Sequence, residues 1–95
     1  MGAHNNAYVF EAKDQKDAIS KAETFQRSEL VQYGNDAYSG HLGTQGVGVG
    51  KVVSVAFPTP SEAEKYILDR HDKWDRPWLA HCGGNVWVLA GWCAS

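Results

Sequence analysis

The stretch that looks most like a piece of chemistry is Gly46-Val47-Gly48-Val49-Gly50-Lys51, where glycines and a lysine stand together as they do in phosphate-holding loops. Such a loop needs Gly, four residues, Gly-Lys and then Ser or Thr. The first of those positions is Gln45 here, and Lys51 is followed by Val52, which has no hydroxyl for magnesium. The dinucleotide fingerprint fails as well. Its third glycine falls on Lys51, and the segment runs into a strand pattern instead of a helix N-terminus. The glycines therefore read as a structural or partner-contacting loop.

His81-Cys82 pairs a base with a nucleophile in sequence, but neighbours in a strand project from opposite faces and cannot share the activating hydrogen bond. Ser39 in Ala37-Tyr38-Ser39-Gly40-His41 lacks the first glycine of a nucleophile elbow. A zinc site would have to gather His41, His71, His81, Cys82 and Cys93 without any C-x-x-C or H-x-x-x-H spacing. These readings leave no catalytic residue, no metal ligand and no cofactor to expect. The aromatic series Trp74, Trp78, Trp87 and Trp92 is left, serving either as core or as a surface that stacks on a partner.

The elements that must position these residues are legible in part. Ala7-Tyr8-Val9-Phe10-Glu11-Ala12 is rich in β-formers, and residues 1–6 are expected to lie outside the ordered domain. Asp14 caps a helix with Asp17 in its first turn; Ala18, Ala22 and Phe25 repeat at helical spacing, and Gly34 is its stop. A short strand is expected over Ser39 to Thr44 and a second over Lys51 to Phe57, the latter apolar on both faces and hence in the middle of the sheet. Thr59-Pro60-Ser61-Glu62 is a capping box with proline at the first helical position. It opens a helix whose buried stripe is Ala63, Tyr66, Ile67 and then Arg70 or His71. Trp78–Cys82 and Val86–Trp92 flank Gly83-Gly84-Asn85 as a hairpin, with Trp87 opposite His81. In that register Cys93 is about 23 Å from Cys82, too far to bridge. The order predicts an α+β domain over 1–95: a ferredoxin-like, split βαβ sheet with two helices on one face and an added C-terminal hairpin strand.

Composition narrows the function classes. Ninety-five residues, 43% hydrophobic and 21% charged, describe one globular unit. A net charge of −2 gives none of the cationic excess that nonspecific nucleic-acid binding needs. No run approaches the roughly 18 apolar residues that span a bilayer, and no export signal opens the chain. The expected place is therefore the cytoplasm, with reduced thiols.

Tyr33-Gly34, Tyr38-Ser39-Gly40, Leu42-Gly43-Thr44 and Gly91-Trp92-Cys93 resemble the pattern of small proteins from phages and bacterial mobile elements. The resemblance implies a compact protein that acts stoichiometrically, by binding a host defence complex in the anti-CRISPR manner or by sequestering a nucleotide signal. It transfers no functional residue.

Three functional expectations follow. The first is a non-enzymatic protein-binding inhibitor with Tyr38, His41, Trp74 and Trp78 as contacts. The second is an oligomeric sponge for a cyclic or ADP-ribose-type nucleotide, with loop N–H groups over 46–50 and Lys51 or Arg76 meeting phosphate. The third is a small enzyme with His41 or His81 as general base. Val86 to Trp92 carries no charge, so this strand is either central in the sheet or an edge covered by a second copy; the second is favoured, and a homodimer is expected.

Overall fold

The computed structural model describes residues 3–33, 47–53, 55–71 and 75–94. The expected strand over 39–44 and the Gly34 stop lie outside them. The elements are β1 (Ala3–Glu11), α1 (Gln15–Tyr33), β2 (Lys51–Val52), α2 (Pro60–Leu68), β3 (Trp78–His81) and β4 (Val86–Ala94). The strands form one mixed sheet in the order β1-β4-β3-β2, with β2 and β3 parallel and the other two pairs antiparallel.

Both helix starts follow their local chemistry. The Asp14 carboxylate accepts from the Asp17 N–H at 2.8 Å, and Asp17 accepts from the Lys13 N–H at 3.1 Å. Thr59 accepts from the Glu62 N–H at 3.3 Å, with Pro60 in the first turn of α2. Each satisfies donors that a helix start leaves without intrahelical partners.

The helices cover opposite faces of the sheet, where one shared face was expected. Ala18 and Ala22 of α1 pack on Phe10, Leu79, Trp87 and Leu89, with Tyr8 and Phe25 alongside. Ala63 and Ile67 of α2 pack on Ala80, Val88 and Ala90, with Tyr66 and Trp78 alongside. The physical reason lies in β4, whose neighbours Val88 and Leu89 point to opposite faces and are both fully buried. A strand buried on both faces reads as an unbroken apolar run.

The same fact relocates the last strand. β4 lies inside the sheet between β1 and β3, so its lack of charge is accounted for without a second copy. Its register follows the expected one, with His81 opposite Trp87 and the Cys82 N–H donating to the Val86 carbonyl at 2.9 Å. β1 begins at Ala3, because β4 runs on to Ala94 and gives residues 3–6 a partner.

Of the strand expected over Lys51 to Phe57, Lys51–Val52 is regular, and among the described strands it stands last in the sheet order instead of lying mid-sheet. Gly50 N–H donates to Pro77 O, Val53 N–H to Leu79 O and Phe57 N–H to His81 O. The edge chain thus advances seven residues while β3 advances four. These three bonds are three and then four residues apart on this chain for every two on β3, a spacing that a regular ladder does not have. In a split βαβ unit another strand separates the two that the crossover joins. Here β2 and β3 are joined through α2 and pair directly, so the connectivity differs from the ferredoxin-like expectation.

Candidate functional site

Three of the residues singled out in the sequence meet at the start of β2 and β3. Lys51 and Trp78 are Cα partners in the parallel pair, and the Lys51 ammonium stands 4.9 Å from the centroid of the Trp78 ring. Arg76 lies two residues before Trp78, with its guanidinium beside Gly48. Lys51 and Arg76 are exposed and Trp78 is half-buried. Tyr38, His41 and Trp74 lie outside the described residues.

The cluster is held from behind by residues that sequence reasoning passed over. Asp75 accepts from the Arg76 N–H at 2.8 Å and, through its other oxygen, from the Trp78 indole N–H at 3.1 Å, which fixes the ring's orientation. Gln26, fully buried on α1, donates to the Gly48 carbonyl at 3.0 Å and accepts from its N–H at 2.9 Å. This double bond ties the glycine segment to the helix. Gly48 has φ +131°, a backbone conformation that glycine adopts without strain. One signal pointed to Gln26: it continues the Ala18, Ala22 spacing of the buried stripe yet is polar. Asp75 had no such signal.

His71, 7% exposed, braces the other side. Its Nδ1 accepts from the Trp92 N–H at 3.0 Å, and its Nε2 lies 2.7 Å from the Arg76 carbonyl. A backbone N–H can only donate and a carbonyl only accept, so the ring is the neutral tautomer with its proton on Nε2. The Trp78 ring meets His71 edge-on at 5.6 Å. The Trp92 indole donates to the Leu68 carbonyl at 2.6 Å, joining β4 to the end of α2.

The remaining described nucleophile and base have structural partners too. His81 Nε2 donates to the Gly84 carbonyl at 2.8 Å, and its ring stacks on Trp87 at 4.4 Å. Cys82 is a free, buried thiol whose pKa burial pushes up, which keeps it protonated and weakly nucleophilic. Among the described residues no three His, Cys, Asp or Glu side chains form a metal-ligating group, and no helix is long and apolar enough to cross a membrane.

The loop donors have a bearing on phosphate. The N–H of Gly48 points at Gln26 and that of Gly50 at Pro77, so neither is free for an anion. The exposed chemistry is two cations and an indole, with Lys51 already over the ring. No protein-family model, curated protein or solved structure matches the chain.

Proposed function

We propose that this protein is a non-enzymatic binder that acts by stoichiometric capture of a host protein or protein complex. The class of target is a host defence complex met in the cytoplasm, in the anti-CRISPR-like manner of phage and mobile-element proteins, with a homodimer as the working unit. The observation that carries the reading is the cluster of exposed Lys51 and Arg76 with half-buried Trp78, backed by Asp75, His71 and Gln26. Aromatic and arginine side chains in fixed positions are the usual anchors of protein interfaces.

The nucleotide reading has less to work with. The Gly48 and Gly50 N–H groups serve the fold, and a base stacking on Trp78 would have to displace the Lys51 ammonium. Two cations remain to meet an anion, and a carboxylate on a protein surface suits them without loop donors. For catalysis, of the two histidines considered as a general base His81 is engaged by the Gly84 carbonyl, and His41 lies outside the described residues.

The test compares tagged wild type with Lys51→Glu/Arg76→Glu in host lysate. A partner recovered at stoichiometric yield by the wild type and lost by the charge-reversed variant supports the reading. The absence of any stoichiometric partner counts against it, and calorimetric heat with a cyclic or ADP-ribose-type nucleotide transfers the assignment to a sponge.

A further inference from the structure

The irregular stretch that follows β2 borders a cavity. Between its bonds at Val53 and Phe57 the chain advances four residues while β3 advances two, from Leu79 to His81. The cavity beside it measures about 310 Å³, at the lower end of the range that small-molecule sites occupy. Val53, Val55 and Ala56 line it from this stretch, His81 and Trp87 from the β3–β4 hairpin, and Gln15 from the first position of α1.

The lining combines a fixed aromatic pair with polar groups of low charge. His81 and Trp87 are cross-strand partners whose rings stack at 4.4 Å, with 24° between their planes. The Trp87 indole donates to the Ala12 carbonyl at 3.3 Å and His81 Nε2 to the Gly84 carbonyl at 2.8 Å, so both rings are held in place. In the neutral ring a proton on Nε2 leaves Nδ1 as an acceptor. Gln15 is exposed and carries a donor and an acceptor side by side. None of the described lining residues is Asp, Glu, Lys or Arg. Val55, a large apolar side chain at this cavity, is 51% exposed.

We infer that this cavity binds an uncharged purine base. The half-buried His81 ring, backed by buried Trp87, offers a flat surface to a flat ring, and stacking of that kind accepts any base. The hydrogen-bonding groups then choose among bases. A glutamine amide meets the N6 donor and N7 acceptor of adenine in two bonds at once, and His81 Nδ1 accepts from a ring N–H. The described lining offers a phosphate no cation, so the base itself is the ligand that fits. His81 ends β3 and Trp78 begins it. The site is therefore separate from the Lys51 and Trp78 cluster, and the inference stands apart from the partner reading.

Adenine titrated into ¹⁵N-labelled protein to about 2 mM, past the millimolar affinity of a weak site, tests it. Saturable movement of the Trp87 indole signal and of the Val53 and Val55 amides is expected, with the Lys51 and Trp78 signals unmoved. Benzoate, a flat ring with a full negative charge, is expected to bind at least about tenfold more weakly. Gln15→Ala, at an exposed position, should weaken adenine about tenfold, and Val55→Phe, which places a ring at the cavity, should abolish its binding. No saturable shift with adenine, shifts centred on Lys51 and Trp78, or equal affinity for benzoate overturns the inference. So does a folded Gln15→Ala or Val55→Phe that binds adenine as the wild type does. The wild-type titration decides without any variant, and it needs no partner from the lysate.

Discussion

His71 has one arrangement open to it, because Trp92 offers only a donor and Arg76 only an acceptor. Gly91 completes the fit. A Cβ there would stand 2.8 Å from the ring's Cε1 and 3.0–3.1 Å from its two nitrogens. The two hydrogen bonds prevent the ring from retreating without losing one of them. Gly91→Ala is therefore expected to cost about 1–3 kcal/mol, the usual range for overpacking, read as a lower urea midpoint with an unchanged slope. A midpoint equal to the wild type's would mean that the ring can move freely. Gln26 makes the complementary case by deletion. Gln26→Leu keeps a similar volume but strands the Gly48 N–H and C=O, and the expected loss is about 2–4 kcal/mol for two buried groups left without partners. Lost capture of a partner with stability unchanged would place Gln26 at the surface, against its complete burial.

At the scale of elements, the start of α1 carries a pH dependence. The Lys13 N–H first, and the Lys21 ammonium after it, hold the Asp17 carboxyl below its ordinary 3.8. A carboxyl lowered in the folded state stabilises fully above its unfolded value and loses that contribution as pH falls through the folded one. The stability gap between wild type and Asp17→Asn should thus be level from pH 7 to 5 and close below 3.8; a gap that persists to pH 2 would remove Asp17 from the cap. Helix starts of this kind were legible because Asp14, Thr59 and Pro60 act on their own neighbours. The strands were less so. Val52, Val53 and Val55 gave the right propensity for an extended segment, but the spacing of its bonds to β3 depends on what that strand offers opposite, which no local pattern contains. The uncharged run of β4 admits two explanations, a strand inside the sheet or an edge covered by a second copy, and both give the same sequence; β4 lies between β1 and β3. Of the candidate contacts, Lys51, Arg76 and Trp78 converge, whereas Asp75, which holds Arg76 and Trp78, stands at no helix start and so matches no capping pattern that would mark it.

For the whole molecule, β4 is the axis on which both cores depend. It pairs with β1 and β3, and it sends Trp87 and Leu89 to the α1 side and Val88 and Ala90 to the α2 side. Its pairing with β1 also joins residues 3–11 to residues 86–94, so a long loop must close before the α1 core can form, and such non-local pairing is slow to fold. The layered arrangement makes a claim about two adjacent residues. Were one face of β4 open to solvent, Val88 and Leu89 would differ sharply on truncation, since neighbouring side chains point to opposite faces. With a helix on each face, neither is tolerated. Leu89→Ala should cost about 2–5 kcal/mol, and Val88→Ala about 1.5–3 kcal/mol, a large share of the roughly 5–15 kcal/mol that holds a domain together. Urea denaturation of the two single variants decides the matter: a Val88→Ala midpoint within error of the wild type would leave the α2 face uncovered and return the fold to two layers.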